Sequence, residues 1–85
     1  MTRVLVVDDE PQFLRALETN LRGAGYEVET AATAGEALAA AALREPEAVI
    51  LDLVLPGISG VEVCRELRTW SDAPVIVLSV IGDEH

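Results

Sequence analysis

The sequence contains no lysine: all six basic residues are arginines, and they face fifteen acidic side chains in 85 residues, for a formal net charge of −9. That balance argues against direct binding of nucleic acid or anionic lipid by this segment, and favours a cation or a basic partner. There is one cysteine, Cys64, so no internal disulfide can form and nothing points to an oxidising compartment. No apolar run approaches the ~18 residues of a membrane span. The apolar stretch after Arg3 is too short for the core of a signal peptide. The expectation is a cytoplasmic protein with no membrane partner.

Hydrophobic residues are abundant: they make up 51% of the chain, which suggests a sheet buried on both faces. The length allows one small domain of marginal stability. Val4 to Val7 is a short, mostly β-branched run followed by acids and Pro11, and reads as a buried strand. From Pro11, the residues Phe13, Leu14, Leu17 and Leu21 repeat at helical spacing until Gly23 and Gly25 stop the run. Tyr26 to Ala31 alternates like a half-exposed edge strand. Thr33 and Glu36 form a capping box for an alanine-rich helix from about Ala34 to Arg44, ended by Pro46.

A second apolar run, Ala48 to Leu51, ends in Asp52. The turn-rich segment Leu55-Pro56-Gly57-Ile58-Ser59-Gly60 then leads to a third helix, with Val61, Cys64 and Leu67 on one face and Val63 and Trp70 beside it. Pro74 to Leu78 is a fourth strand, ending at Ser79. Strand and helix alternate throughout, so right-handed crossovers predict an α/β fold, a doubly wound parallel sheet with helices on both faces.

Ligands of such sheets bind beyond the carboxyl ends of the strands, where strand order reverses. Asp8 and Asp9 follow the first strand, Asp52 ends the third and Ser79 the fourth. If the first and third strands are neighbours, three carboxylates converge and need a cation between them. An all-oxygen donor set with room for water favours Mg²⁺. A carboxylate beside that ion can attack phosphorus, and Asp52 is the natural nucleophile. The plainer alternative for Asp8-Asp9-Glu10-Pro11 alone is a helix cap with acids at the positive end of the helix dipole.

Four motifs together resemble the receiver domains of two-component response regulators: Val4-Leu5-Val6-Val7-Asp8-Asp9-Glu10-Pro11, Val49-Ile50-Leu51-Asp52-Leu53, Leu55-Pro56-Gly57-Ile58-Ser59-Gly60 and Pro74-Val75-Ile76-Val77-Leu78-Ser79. The resemblance implies a CheY-like (flavodoxin-like) sheet, incomplete here, with strands ordered 2-1-3-4, and residues 1–85 as the amino-terminal portion of a receiver. It implies that Asp52 takes a phosphoryl group from a phosphohistidine of a sensor histidine kinase. Asp9, Asp52 and the backbone carbonyl of Val54 would hold Mg²⁺, Asp8 would hold metal-bound water, and the Ser79 hydroxyl would move to the phosphoryl group. The chain is further similar to winged-helix regulators of the OmpR/PhoB kind and, through Leu67-Arg68-Thr69-Trp70-Ser71, to regulators of bacterial Kdp potassium transport. DNA would then be bound only through an output domain outside these residues.

Two departures qualify these implications. The family places a Lys at the end of a fifth strand, which with its flanking helices would lie beyond His85; without it, phosphorylation of this segment is expected to be weak or absent. Val80 stands where receivers usually place a small residue. The open apolar edge of the fourth strand is expected to favour self-association. Rival functions are a receiver-like interaction module that takes no phosphate, and a phosphohydrolase with an aspartyl-phosphate intermediate. The second resembles the haloacid-dehalogenase pattern poorly, because Asp8 and Asp9 are adjacent and Asp52 follows a later strand. Cys64 reads as a packed core thiol, Trp70 as a closure of the third helix against the core, and His85 as a frayed terminus.

Overall fold

In the computed structural model, which describes residues 1–52 and 60–78, four parallel strands form one sheet in the order β2-β1-β3-β4, as expected. The strands are β1 (Arg3–Val7), β2 (Glu27–Ala31), β3 (Ala48–Asp52) and β4 (Val75–Leu78). The helices are α1 (Pro11–Gly23), α2 (Ala34–Leu43) and α3 (Gly60–Arg68). The central strands β1 and β3 carry apolar runs because both of their faces are covered. Alternate residues serve two cores. Val4, Val6 and Val28 pack with Leu14, Leu17 and Leu21 of α1, whereas Leu5, Val7, Val49 and Leu51 pack with Ala37 and Ala41 of α2 and Val63 and Leu67 of α3.

The helix ends follow local chemistry. Gly25 adopts φ +100, a conformation that costs a Cβ-free residue little, and the chain closes α1 with Gly25 N–H to Arg22 O and Tyr26 N–H to Leu21 O. That is a Schellman closure, so Gly25 ends the helix and Gly23 is its last residue. Thr33 caps α2 with its hydroxyl accepting from Glu36 N–H at 3.1 Å. The reciprocal bond differs from the usual capping box: the Glu36 carboxylate takes the Ala32 N–H, at 2.9 Å, one residue before the cap.

Three expectations are corrected. Phe13 is exposed at 41%, because Leu14, Leu17 and Leu21 already fill the stripe that meets the sheet. In α3 the buried face is Gly60, Val63 and Leu67, with Cys64 packed partly against it; Val61 points away and is 52% exposed. Trp70 is exposed, since α3 ends at Arg68 and the indole sits in the following turn. That turn is held instead by Arg68, whose guanidinium donates to the carbonyls of Ser71 and Ala73, and by the buried Ser71 hydroxyl, which donates to Glu45.

The amino end of the sheet is closed by charge. The largely buried Arg3 side chain pairs with Glu27 at 2.9 Å and Glu29 at 3.2 Å on edge strand β2, and Arg44 at the end of α2 also reaches Glu27. Toward β4 the α1 face opens into an apolar groove of about 290 Å³ between Val4, Leu21, Tyr26, Ile50 and Ile76. Among the described residues no helix is long and apolar enough to cross a membrane.

Candidate functional site

The register brings the acids together. Val7 pairs with Leu51, so Asp8 and Asp52 are the next residues on neighbouring parallel strands, whose axes lie ~4.8 Å apart. Asp8 N–H still donates to Ala31 O at 3.1 Å, extending the β1–β2 ladder by one bond. The chain then turns: one Asp8 carboxylate oxygen accepts the Glu10 N–H at 2.8 Å, which bends residues 8–10 away from the strand. Glu10 is the cap of α1, its carboxylate meeting Gln12 N–H at 3.4 Å ahead of Pro11. The cap expected for the motif Asp8-Asp9-Glu10-Pro11 therefore exists, and Glu10 is the residue that supplies it.

Asp8 is buried, Asp52 half-buried and Asp9 exposed, and one carboxylate oxygen from each lies within 4.8 Å of the others. Among the described residues this is the one group of three or more His, Cys, Asp or Glu side chains placed to share an ion. Burial pushes the Asp8 carboxyl above its ordinary range; the Glu10 N–H opposes this, and the charges of Asp52, Asp9 and Glu10 add to the rise. Three anionic groups held this closely fit a hard divalent cation, which would replace their repulsion by attraction with oxygen donors only. Cys64 is half-buried on the α3 side of the core. Val54, the Pro56-Gly57 turn, Ser79, Val80 and His85 lie outside the described residues.

Comparison with known proteins agrees with this geometry. The family model described as "Response regulator receiver domain" matches residues 4–85. The transcriptional regulatory protein KdpE of Mycobacterium tuberculosis is 59% identical over 83 residues, covering 98% of this chain and 37% of its own length. The KDP operon transcriptional regulatory protein KdpE of Escherichia coli is 49% identical over 84 residues, covering 99% and 37%. The chain thus spans little more than a third of these relatives.

Among solved structures, a complex of the histidine kinase ThkA with the response regulator TrrA superposes with a TM-score of 0.87 at 44% identity, over 94% of this chain and 70% of the other. TrrA of Thermotoga maritima with Mg²⁺-BeF gives 0.79 at 36% identity, over 99% and 92%. The 2-1-3-4 parallel sheet is therefore the CheY-like receiver fold. Agreement of sequence over residues 4–85, of strand order and of three-dimensional shape establishes that the chain belongs to the response regulator receiver domain family, close to KdpE and other regulators of the OmpR type.

Proposed function

We propose that this chain is the phosphoacceptor segment of a two-component transcription regulator, with Asp52 as the residue that takes the phosphoryl group. The observation that carries the reading is the convergence of Asp8, Asp9 and Asp52 oxygens within 4.8 Å at the carboxyl end of a parallel sheet. An Asp52 carboxylate oxygen attacks the phosphorus of a phosphohistidine on a sensor kinase; a P–O bond forms, the P–N bond breaks, and the imidazole nitrogen leaves with its electron pair. The kinase partner is supported by the relative TrrA, which was solved with the histidine kinase ThkA.

Asp9, Asp52 and the Val54 carbonyl would hold Mg²⁺, and Asp8 would act through metal-bound water. When bound, the ion offsets the negative charge that the incoming phosphoryl oxygens add to a site already acidic. The roles of Val54 and of Ser79, as the switch hydroxyl, are supported by the sequence motifs: Ser79 directly follows Leu78, which is in register with Asp52. Transcriptional control is supported by the names of the KdpE relatives, which are transcriptional regulatory proteins, and would act through a DNA-binding output domain outside residues 1–85. The segment works as a switch rather than an enzyme, and its lack of lysine is expected to weaken transfer to these residues alone. For residues 1–85 as an isolated segment, self-association through β4 is supported by the exposure of Ile76 and Val77, and a sedimentation profile of that segment that stays monomeric at all concentrations would oppose it.

The test is labelling. The full-length natural polypeptide and its Asp52→Asn variant are incubated with Mg²⁺ and a small phosphodonor, and intact mass is read. Gain of one phosphoryl group by the wild type alone supports the proposal. Equal labelling of both sinks the assignment of Asp52, and no labelling of either supports the interaction-module reading. Turnover of unrelated phosphomonoesters would revive the hydrolase.

A further inference from the structure

The peptide unit joining Ala31 to Ala32 is bonded on both sides. Its carbonyl accepts the Asp8 N–H at 3.1 Å, and its N–H donates to the Glu36 carboxylate at 2.9 Å. A peptide unit is a rigid plane, so fixing the direction of its N–H also fixes the direction of its C=O. Ala31 is the last residue of β2, and Asp8 has just left β1; among the described residues no further β1–β2 ladder bond lies beyond this one to hold the two strands in place.

The Glu36 side chain reaches back four residues from the first turn of α2, and that turn is itself anchored by Thr33. We infer that Glu36 is a positioning residue for the acidic cluster: through the Ala31–Ala32 peptide it holds the Asp8 backbone, and with it the Asp8 carboxylate, in register with Asp52. The spacing Thr33-x-x-Glu36 predicts helix capping only. What redirects it is that the glutamate bypasses the Thr33 N–H and takes that of Ala32. This inference rests on the proposed use of the acidic cluster as a Mg²⁺ site.

Three variants made in the full-length natural polypeptide separate positioning from stability. Glu36→Ala removes the acceptor, whereas Glu36→Gln keeps an acceptor oxygen and removes only the charge. Thr33→Ala removes the other half of the cap and leaves the Ala31–Ala32 peptide bonded. Two quantities are read: Mg²⁺ affinity by calorimetry, and metal-free hydrogen exchange of the Asp8 amide relative to that of Val6 in the same strand.

Glu36→Ala is expected to weaken Mg²⁺ binding by about 3- to 10-fold, less than the ~10–100-fold lost with a direct outer-shell partner because Glu36 acts one peptide further out. It should speed Asp8 exchange relative to Val6, and Glu36→Gln should restore both. Thr33→Ala should lower thermal stability with neither change. The inference is overturned if Thr33→Ala reproduces both effects, if Glu36→Gln behaves as Glu36→Ala, or if Asp8 exchange is unmoved in Glu36→Ala. Absence of Mg²⁺ binding by the wild type would instead overturn the proposed metal site, while the exchange data would still decide whether Glu36 holds Asp8.

Discussion

Replacing Asp8 by Asn tests the electrostatics of the cluster without disturbing its shape. The amide keeps the oxygen that accepts the Glu10 N–H, so the turn over residues 8–10 can persist while a buried charge is removed. At 4.8 Å, the outer separation of the cluster oxygens, two like charges repel by ~0.9 kcal/mol in water and ~3.5 kcal/mol at an effective dielectric of ~20. Asp8 takes part in two such pairs, with Asp9 and with Asp52. Asp9 is exposed and screened, which places the expected gain of the metal-free variant near the low end, ~1–3 kcal/mol. Each kcal/mol raises the melting temperature of a domain this small by ~4–8 °C.

The pH dependence follows from the raised Asp8 carboxyl. Below its ordinary value of 3.8 the group is protonated both folded and unfolded, and wild type carries no penalty. The penalty develops as pH rises from there through the higher folded value, and is constant above it. Thermal melts in a chelator should therefore show an Asn advantage at pH ~7 that shrinks as pH falls toward ~4. Saturating Mg²⁺ should shrink the Asn advantage, because an ion at 100 times its dissociation constant adds ~2.7 kcal/mol to the wild type and less to a variant with a weakened site. A metal-free variant no more stable than wild type at neutral pH, or an advantage that does not change with pH, would refute the reasoning.

Other substitutions probe the fold. Leu51→Ala, at a position with no solvent exposure, should cost ~2–5 kcal/mol in urea denaturation and leave the domain close to unfolding. Phe13→Ala should cost ~1 kcal/mol by the same assay, well below the core substitution, since Phe13 is only partly covered. Leu17→Ala, half-buried on the same helix, should cost ~1 kcal/mol. Arg3→Met should lose ~1 kcal/mol or less, and the loss should shrink in high salt, because Glu27 keeps Arg44 and both glutamates remain wetted.

Periodicity carried most of the fold, and its errors have a geometric cause. At ~100° per residue, Leu14, Leu17 and Leu21 lie within ~60° of one another, while Phe13 stands ~40° outside that arc. Val61 falls ~160° from Val63 and so faces away from the core that Val63 enters. Trp70 is in phase with Val63 and Leu67, but the helix has ended two residues earlier, and phase means nothing past the last helical turn. Gly23 and Gly25 cannot be told apart by type; only the Schellman bonds show which one closes α1. In each case the residue pattern identified an element; helical phase then decided for Phe13 and Val61, and the position of the helix end for Trp70 and Gly25.

The site was legible to a different depth. Asp8, Asp9 and Asp52 could be placed near one another from sequence only on the condition that the first and third strands are neighbours. The Val7–Leu51 register supplies that condition. Had β2 lain between β1 and β3, the same three acids would have been separated by a further strand, ~4.8 Å wider, and too far apart to share an ion. Strand order thus turns a sequence motif into a cluster. The bonds that hold the cluster in shape were not legible at all: Asp8 to Glu10, and Ala32 to Glu36, depend on the directions of single peptide planes in turns, which side-chain periodicity does not report. Glu10 and Glu36 each look like helix-capping residues, and each does meet a backbone N–H near a helix start. Their further effect on Asp8 arises because both helix starts lie at the carboxyl end of the sheet, where a bond that closes a helix also sets the position of a carboxylate.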